Sequence, residues 1–150
     1  MGTRHSIEVK IDDQIKVAQY GQWDGYPTGQ GIGIAEFLHK DMDISRFKSA
    51  LRNCRFMSDE EIEKFNLDHT DGSWGKTYPW FSRDTGSGIL GLVQEHFGLV
   101  LIGNEDFKND SLHYEFHYLI NMDDLTVTMN GGSPIPFSEW TAEKMAEIEE

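Results

Sequence analysis

The residues best equipped for chemistry lie close together near the N-terminus, in Thr3-Arg4-His5 and in Gln22-Trp23-Asp24-Gly25-Tyr26-Pro27. Arg4 carries a planar guanidinium that can bond a carboxylate or phosphate through two parallel contacts. Trp23 and Tyr26 offer flat faces for a ring and polar tips for hydrogen bonds. Asp24 can accept from a ligand donor or serve as a base, and His5 can exchange a proton near neutrality. Gln22 adds an amide, while Gly25 and Pro27 hold a turn. The same residues also have a purely structural use. In it Arg4 pairs with Asp24, the two rings plug the edge of the core, and Asp24-Gly25 is only a turn signal.

A hairpin can bring these two stretches together. His5, Ile7, Val9 and Ile11 alternate with Arg4, Ser6, Glu8 and Lys10, and after Asp12-Asp13 the period of two resumes through Ile15 and Val17. With the turn near Asp13, cross-strand partners sum to about 26 in residue number. Ile7 then faces Gln19, Arg4 faces Gln22, and Thr3 faces Trp23. Downstream, Ile34, Phe37 and Leu38 have helical spacing. Asp43 caps a helix with the stripe Ile44, Phe47, Leu51 and Cys54. Ser58 and Glu61 form a capping box before Ile62 and Phe65. A fourth helix is expected from Ser82 to about Phe97, strands at Leu99–Ile102, Leu112–Asn121 and Leu125–Met129, and a final helix over Pro136–Ile148 capped by Ser138. The order predicts an α+β fold, a mainly antiparallel sheet of about five strands with helices packed on one face.

Three further places hold candidate chemistry. Ser82-Arg83-Asp84-Thr85-Gly86 opens the predicted fourth helix, where free amides and Arg83 would favour an anion; the alternative is that Ser82 or Asp84 merely caps the helix. Gly29-Gln30-Gly31-Ile32-Gly33 is only a fragment of a phosphate loop and lacks the full dinucleotide spacing. Its glycines fit better as close-packing positions. His113, Glu115 and His117 share a strand face, but a straight strand spreads them over roughly 13 Å, too far for one ion. No metal and no cofactor are expected, and no residue carries a nucleophile signature.

The blocks Thr3-Arg4-His5, Gln19-Tyr20-Gly21-Gln22-Trp23-Asp24-Gly25-Tyr26-Pro27 and Gly29-Gln30-Gly31 resemble a family of small uncharacterised proteins from phages, bacteria and fungi. Ser82-Arg83-Asp84-Thr85-Gly86 and Glu115 within an aromatic strand are similar to that family's later motifs. The resemblance implies a shared fold and a shared site, without an activity to carry over. Occurrence in phages implies a counter-defence role.

Composition narrows the classes. A chain of 150 residues with net charge −13 fits one domain burying roughly 70% of its unfolded surface. It lacks the cationic surface of a general nucleic-acid binder. Cys54 is the one cysteine, so no internal disulfide forms. No apolar run approaches the roughly 20 residues of a membrane helix, and no signal peptide opens the chain, so the expected location is cytoplasmic. The expected function is a binding module for a small polar, nucleotide-like anionic ligand, held by Arg4, His5, Gln22, Trp23, Asp24, Tyr26, Arg83, Asp84 and Glu115. One alternative is a hydrolase at the same site, with Asp24, His5 or Glu115 as acid or base. The other is an acidic inhibitor that imitates a polyanion and blocks a basic host protein.

Overall fold

A computed structural model describes residues 3–21, 23–68, 85–96, 98–101 and 116–149, with the backbone alone at 62, 65–68 and 149. The predicted hairpin is present as β1 (His5–Ile11) and β2 (Gln14–Gly21). Asp12 and Asp13 both take left-handed backbone angles, φ 53° and 62°. Two consecutive positive φ values make the type I′ turn whose twist suits a two-residue hairpin, and aspartate tolerates them better than most residues. Pairing runs His5–Gly21, Ile7–Gln19 and Val9–Val17, the register expected from the sequence. A bulge then shifts it by one, so that Lys10 faces Ile15.

From Pro27 to Asp41 the chain is helical, with α1 (Ile32–Glu36) between two wider π-type turns, Pro27–Gly31 and Phe37–Asp41. Helix α2 (Ile44–Arg52) starts where Asp43 accepts the Arg46 amide at 3.2 Å. It buries Phe47, Ala50 and Leu51, and Cys54 follows in the core, whereas Ile44 from the predicted stripe is exposed. Helix α3 (Asp59–Asp68) opens with the predicted capping box: Ser58 N donates to Glu61 Oε1 at 3.0 Å, and Glu61 N donates to Ser58 Oγ at 3.2 Å. The side chains of Ile62 and Phe65 lie outside the described residues.

Four details depart from the sequence reading. A short strand, β3 (Arg55–Phe56), pairs in parallel with β4 (Val100–Leu101) as a second small sheet. Helix α4 (Gly88–Glu95) follows a non-helical turn at Thr85 to Ser87, where Gly86 turns left-handed at φ 53°; the expected start at Ser82 lies outside the described residues. The expected final helix is divided. Pro136 belongs to β7 (Ile135–Pro136), a 3₁₀ turn covers Phe137–Glu139, and α5 (Ala142–Glu149) is capped by Thr141, whose Oγ1 accepts the Lys144 amide at 3.1 Å. Ser138 is therefore not the cap.

The fourth departure is in the main sheet, ordered β2-β1-β5-β6-β7 with β5 (Phe116–Asn121) and β6 (Thr126–Met129). It is mostly antiparallel, but β1 and β5 run parallel, with His5 beside Phe116 and Ile7 beside Tyr118. That pairing puts β1 inside the sheet. Ile7, Val9, Tyr118, Ile120 and Val127 from the sheet join Ile34, Phe47, Leu51, Ile89 and Met145 from the helices in one apolar cluster. Each such side chain contributes about 1.5–3 kcal/mol through burial.

Trp140 closes the cluster. Its indole N–H donates to the Gly31 carbonyl at 3.0 Å, its ring meets Tyr118 edge-on at 6.0 Å, and His39 Nε2 donates to its carbonyl at 2.9 Å. Trp140→Ala is expected to cost about 3–5 kcal/mol, the usual loss for a buried aromatic, measured as a lower urea midpoint with an unchanged slope.

Candidate functional site

The far end of the β1–β2 hairpin carries the candidate site. His5 pairs with Gly21, and its imidazole occupies the space a side chain at position 21 would need. The loop then folds back over β1. Gly25 N donates to the Thr3 carbonyl at 2.8 Å, and the Gly25 carbonyl accepts the buried Tyr118 hydroxyl at 2.6 Å. A Cβ on Gly25 would lie 2.8 Å from Thr3 O, 2.9 Å from His5 Cβ and 3.0 Å from Arg4 O, so only glycine fits there.

The rest of the loop backbone is also tied down. Asp24, at φ 55°, supplies the left-handed step that aspartate tolerates. Its carbonyl accepts the Gln30 amide at 2.8 Å, and the Tyr26 carbonyl accepts the Gly29 amide at 2.8 Å. The Gln30 side chain donates to the Trp23 carbonyl at 3.1 Å. The side chains do the opposite: Trp23 is 47% exposed and Tyr26 37%. The Tyr26 hydroxyl donates to the Asp24 carboxylate at 2.9 Å, holding an exposed carboxylate beside an accessible ring. Among the described residues Arg4 and Asp24 form no ion pair, and the rings do not plug the core. Two parts of the purely structural use are therefore absent; the Asp-Gly turn remains.

His5 is fully buried, and neither ring nitrogen has a hydrogen-bond partner among the described residues. Burial lowers its pKa to about 4; the nearby Thr3 backbone, short of hydrogen-bond geometry, and the Asp24 carboxylate pull the other way. At neutral pH the imidazole is uncharged, and its ring offers one donor and one acceptor. Arg4, one residue before β1, is half-buried, and its carbonyl accepts the Phe116 amide at 3.3 Å. Strand alternation assigns Arg4 to the opposite sheet face from His5.

That opposite face holds a polar group the sequence reading passed over. Glu8 is 3% exposed, and its Oε1 lies 2.5 Å from His117 Nε2. Ser6, beside His117 in the parallel register, is buried, and its hydroxyl has no partner among the described residues. Both strand ends of His117 are pinned by Asn130, which accepts the His117 amide through Oδ1 and donates its own amide to the His117 carbonyl, each at 2.8 Å. Strand alternation alone does not show that Glu8 and Ser6 are buried. Among the described residues no group of three or more metal-ligating side chains converges. Gln22, Arg83, Asp84, His113 and Glu115 lie outside the described residues.

The segment after Asp84 is described, and it reaches the loop. Ser87 N donates to Gln30 Oε1 at 2.8 Å, so this amide just before α4 is used internally. Gln30 is thus a site residue that the glycine-rich motif around it obscured. Among the described residues no helix is long and apolar enough to cross a membrane. No protein-family profile, curated protein or solved structure matches the chain.

Two outcomes follow from this geometry. Unfolded, His5 titrates near 6.5, and folded near 4, so between those values the unfolded chain binds a proton that the folded one refuses. Stability therefore falls as pH drops from about 6.5 to 4, by about 3 kcal/mol from this group. Urea titrations at pH 7 and pH 4 should show the wild type losing that much more than His5→Phe. Gly25→Ala should destabilise by more than about 1 kcal/mol through its backbone collisions, read as a fall in melting temperature.

Proposed function

We propose that the Trp23–Tyr26 loop is the binding platform of a module for a small, anionic, nucleotide-like ligand. The observation that carries this reading is the contrast within the loop: backbone bonds hold it rigid, yet its two aromatic rings and a carboxylate face solvent. Folding alone gives no reason to expose Trp23, since burying an indole ordinarily stabilises. A pre-fixed aromatic pair, by contrast, stacks on a ring with little ordering cost. Asp24 would read donors on the ring, and Arg83 would hold the anionic end. The resemblance to phage proteins supports placing such capture in counter-defence, acting on a host signalling nucleotide in the cytosol.

Mass spectrometry of small molecules released from purified protein, followed by calorimetric titration of the nucleotide found, tests the proposal. Trp23→Ala is expected to weaken binding by about 1–3 kcal/mol, the worth of one base–aromatic stack. Arg83→Ala should weaken it by about 1.5–3 kcal/mol, with the melting temperature unchanged. Absence of any released ligand, together with salt-sensitive capture of a basic protein, would replace this reading with the acidic-inhibitor one.

A further inference from the structure

We infer that Gln30 is a positioning residue, whose side-chain amide clamps the Trp23–Tyr26 loop to the Thr85–Ser87 turn and makes them two walls of one ligand site. The residues it joins are far apart in sequence, and the joint is made three ways. Gln30 N donates to Asp24 O at 2.8 Å, Gln30 Nε2 donates to Trp23 O at 3.1 Å, and Gln30 Oε1 accepts from Ser87 N at 2.8 Å. The polarity of the side-chain bonds is fixed by the groups at either end. A carbonyl only accepts and a backbone N–H only donates, so the bridging group must present a donor to one and an acceptor to the other. A primary amide does this at fixed separation. Glutamate lacks the donor, and lysine the acceptor.

Packing enforces the same contact. A Cβ on Gly86 would lie 2.5 Å from Gln30 Oε1 and 2.7 Å from its Cδ and Nε2, so the turn approaches the amide as closely as backbone can. Holding the Trp23 carbonyl also sets the direction of the indole, since the carbonyl and side chain leave adjacent atoms. Displacement of either wall is thereby felt by the other. The ligand itself rests on the reading of the loop proposed above, but the clamp does not.

The test uses Gln30→Met, which keeps length and loses both polar ends, and Gln30→Glu, which keeps only the acceptor. Amide exchange is followed at Ser87. The indole of Trp23 is followed by fluorine NMR of fluorotryptophan-labelled protein, its resonance assigned with Trp23→Phe. In Gln30→Met, Ser87 should exchange roughly tenfold faster and the Trp23 resonance should move, while the melting temperature stays close to wild type. In Gln30→Glu, Ser87 should remain protected while Trp23 still moves; a merely space-filling residue would not split the two signals. Calorimetry with AMP should show binding about tenfold weaker in Gln30→Met. Unchanged Ser87 exchange and Trp23 resonance in Gln30→Met would overturn the clamp. Unchanged AMP affinity, where wild type binds AMP, would overturn the two-walled site. If wild type binds no AMP, the nucleotide reading fails for that probe, and exchange and fluorine signals still decide the clamp.

Discussion

A phenol hydroxyl surrounded by apolar side chains must find an acceptor or cost the protein about 1–3 kcal/mol. Tyr118 lies at the centre of the core, and its hydroxyl finds the Gly25 carbonyl at 2.6 Å. This bond sets the height at which the loop crosses the sheet. It is available only because β5 runs beside β1, which places Tyr118 next to Ile7 and within reach of the chain returning from β2. With Gly25 held from both sides, by Tyr118 and by Thr3, its neighbours Asp24 and Tyr26 have little choice but to turn outward. The outward course of Asp24 and Tyr26 is thus a consequence of satisfying a buried hydroxyl.

Local chemistry was legible in the sequence and long-range pairing was not. The Asp12-Asp13 turn, the Asp43 cap and the Ser58–Glu61 box are set by residues a few positions apart, and all three stand where spacing puts them. The hairpin register followed from the turn, and with it the return of the loop to Thr3. The parallel β1–β5 pair has no local signature, because nothing in either strand says which edge it will join. Its absence from the sequence reading left two features unseen: the burial of Glu8 and Ser6, and the one parallel step within a mainly antiparallel sheet. The final helix failed for a different reason. Pro136 can open a helix or sit in a short edge strand, and pairing with Thr126 decided for the strand.

At the candidate site the loop residues stand out in the sequence by their types, but the residues that support them do not. Gln30 was hidden in a run of glycines that drew attention to phosphate binding. Its role depends on Ser87, more than fifty positions away, and no periodicity reports such a contact. His5 stands in the sequence as a titratable group in the apolar row with Ile7 and Val9, whereas the closeness of Gly21 and Gly25 around it has no signature in the pattern. Side chains that contact a ligand are conspicuous by chemistry; those that hold them in place are ordinary residues in particular positions.

The parallel pairing also orders events in time. During synthesis the β1–β2 hairpin emerges early and can close on itself, but β1's other edge has no partner until Phe116–Asn121 has been made. Until then the apolar row of Ile7, Val9 and Ile11 lacks half its neighbours, and a strand edge stands open to any other nascent chain. A contact spanning over a hundred residues also raises contact order, which slows folding relative to a chain of local hairpins. The Gly25 loop cannot receive its hydroxyl from Tyr118 before that moment. The Trp23–Tyr26 loop is therefore among the last parts of the molecule to become rigid, and a truncated chain would carry its aromatics on an unfastened loop.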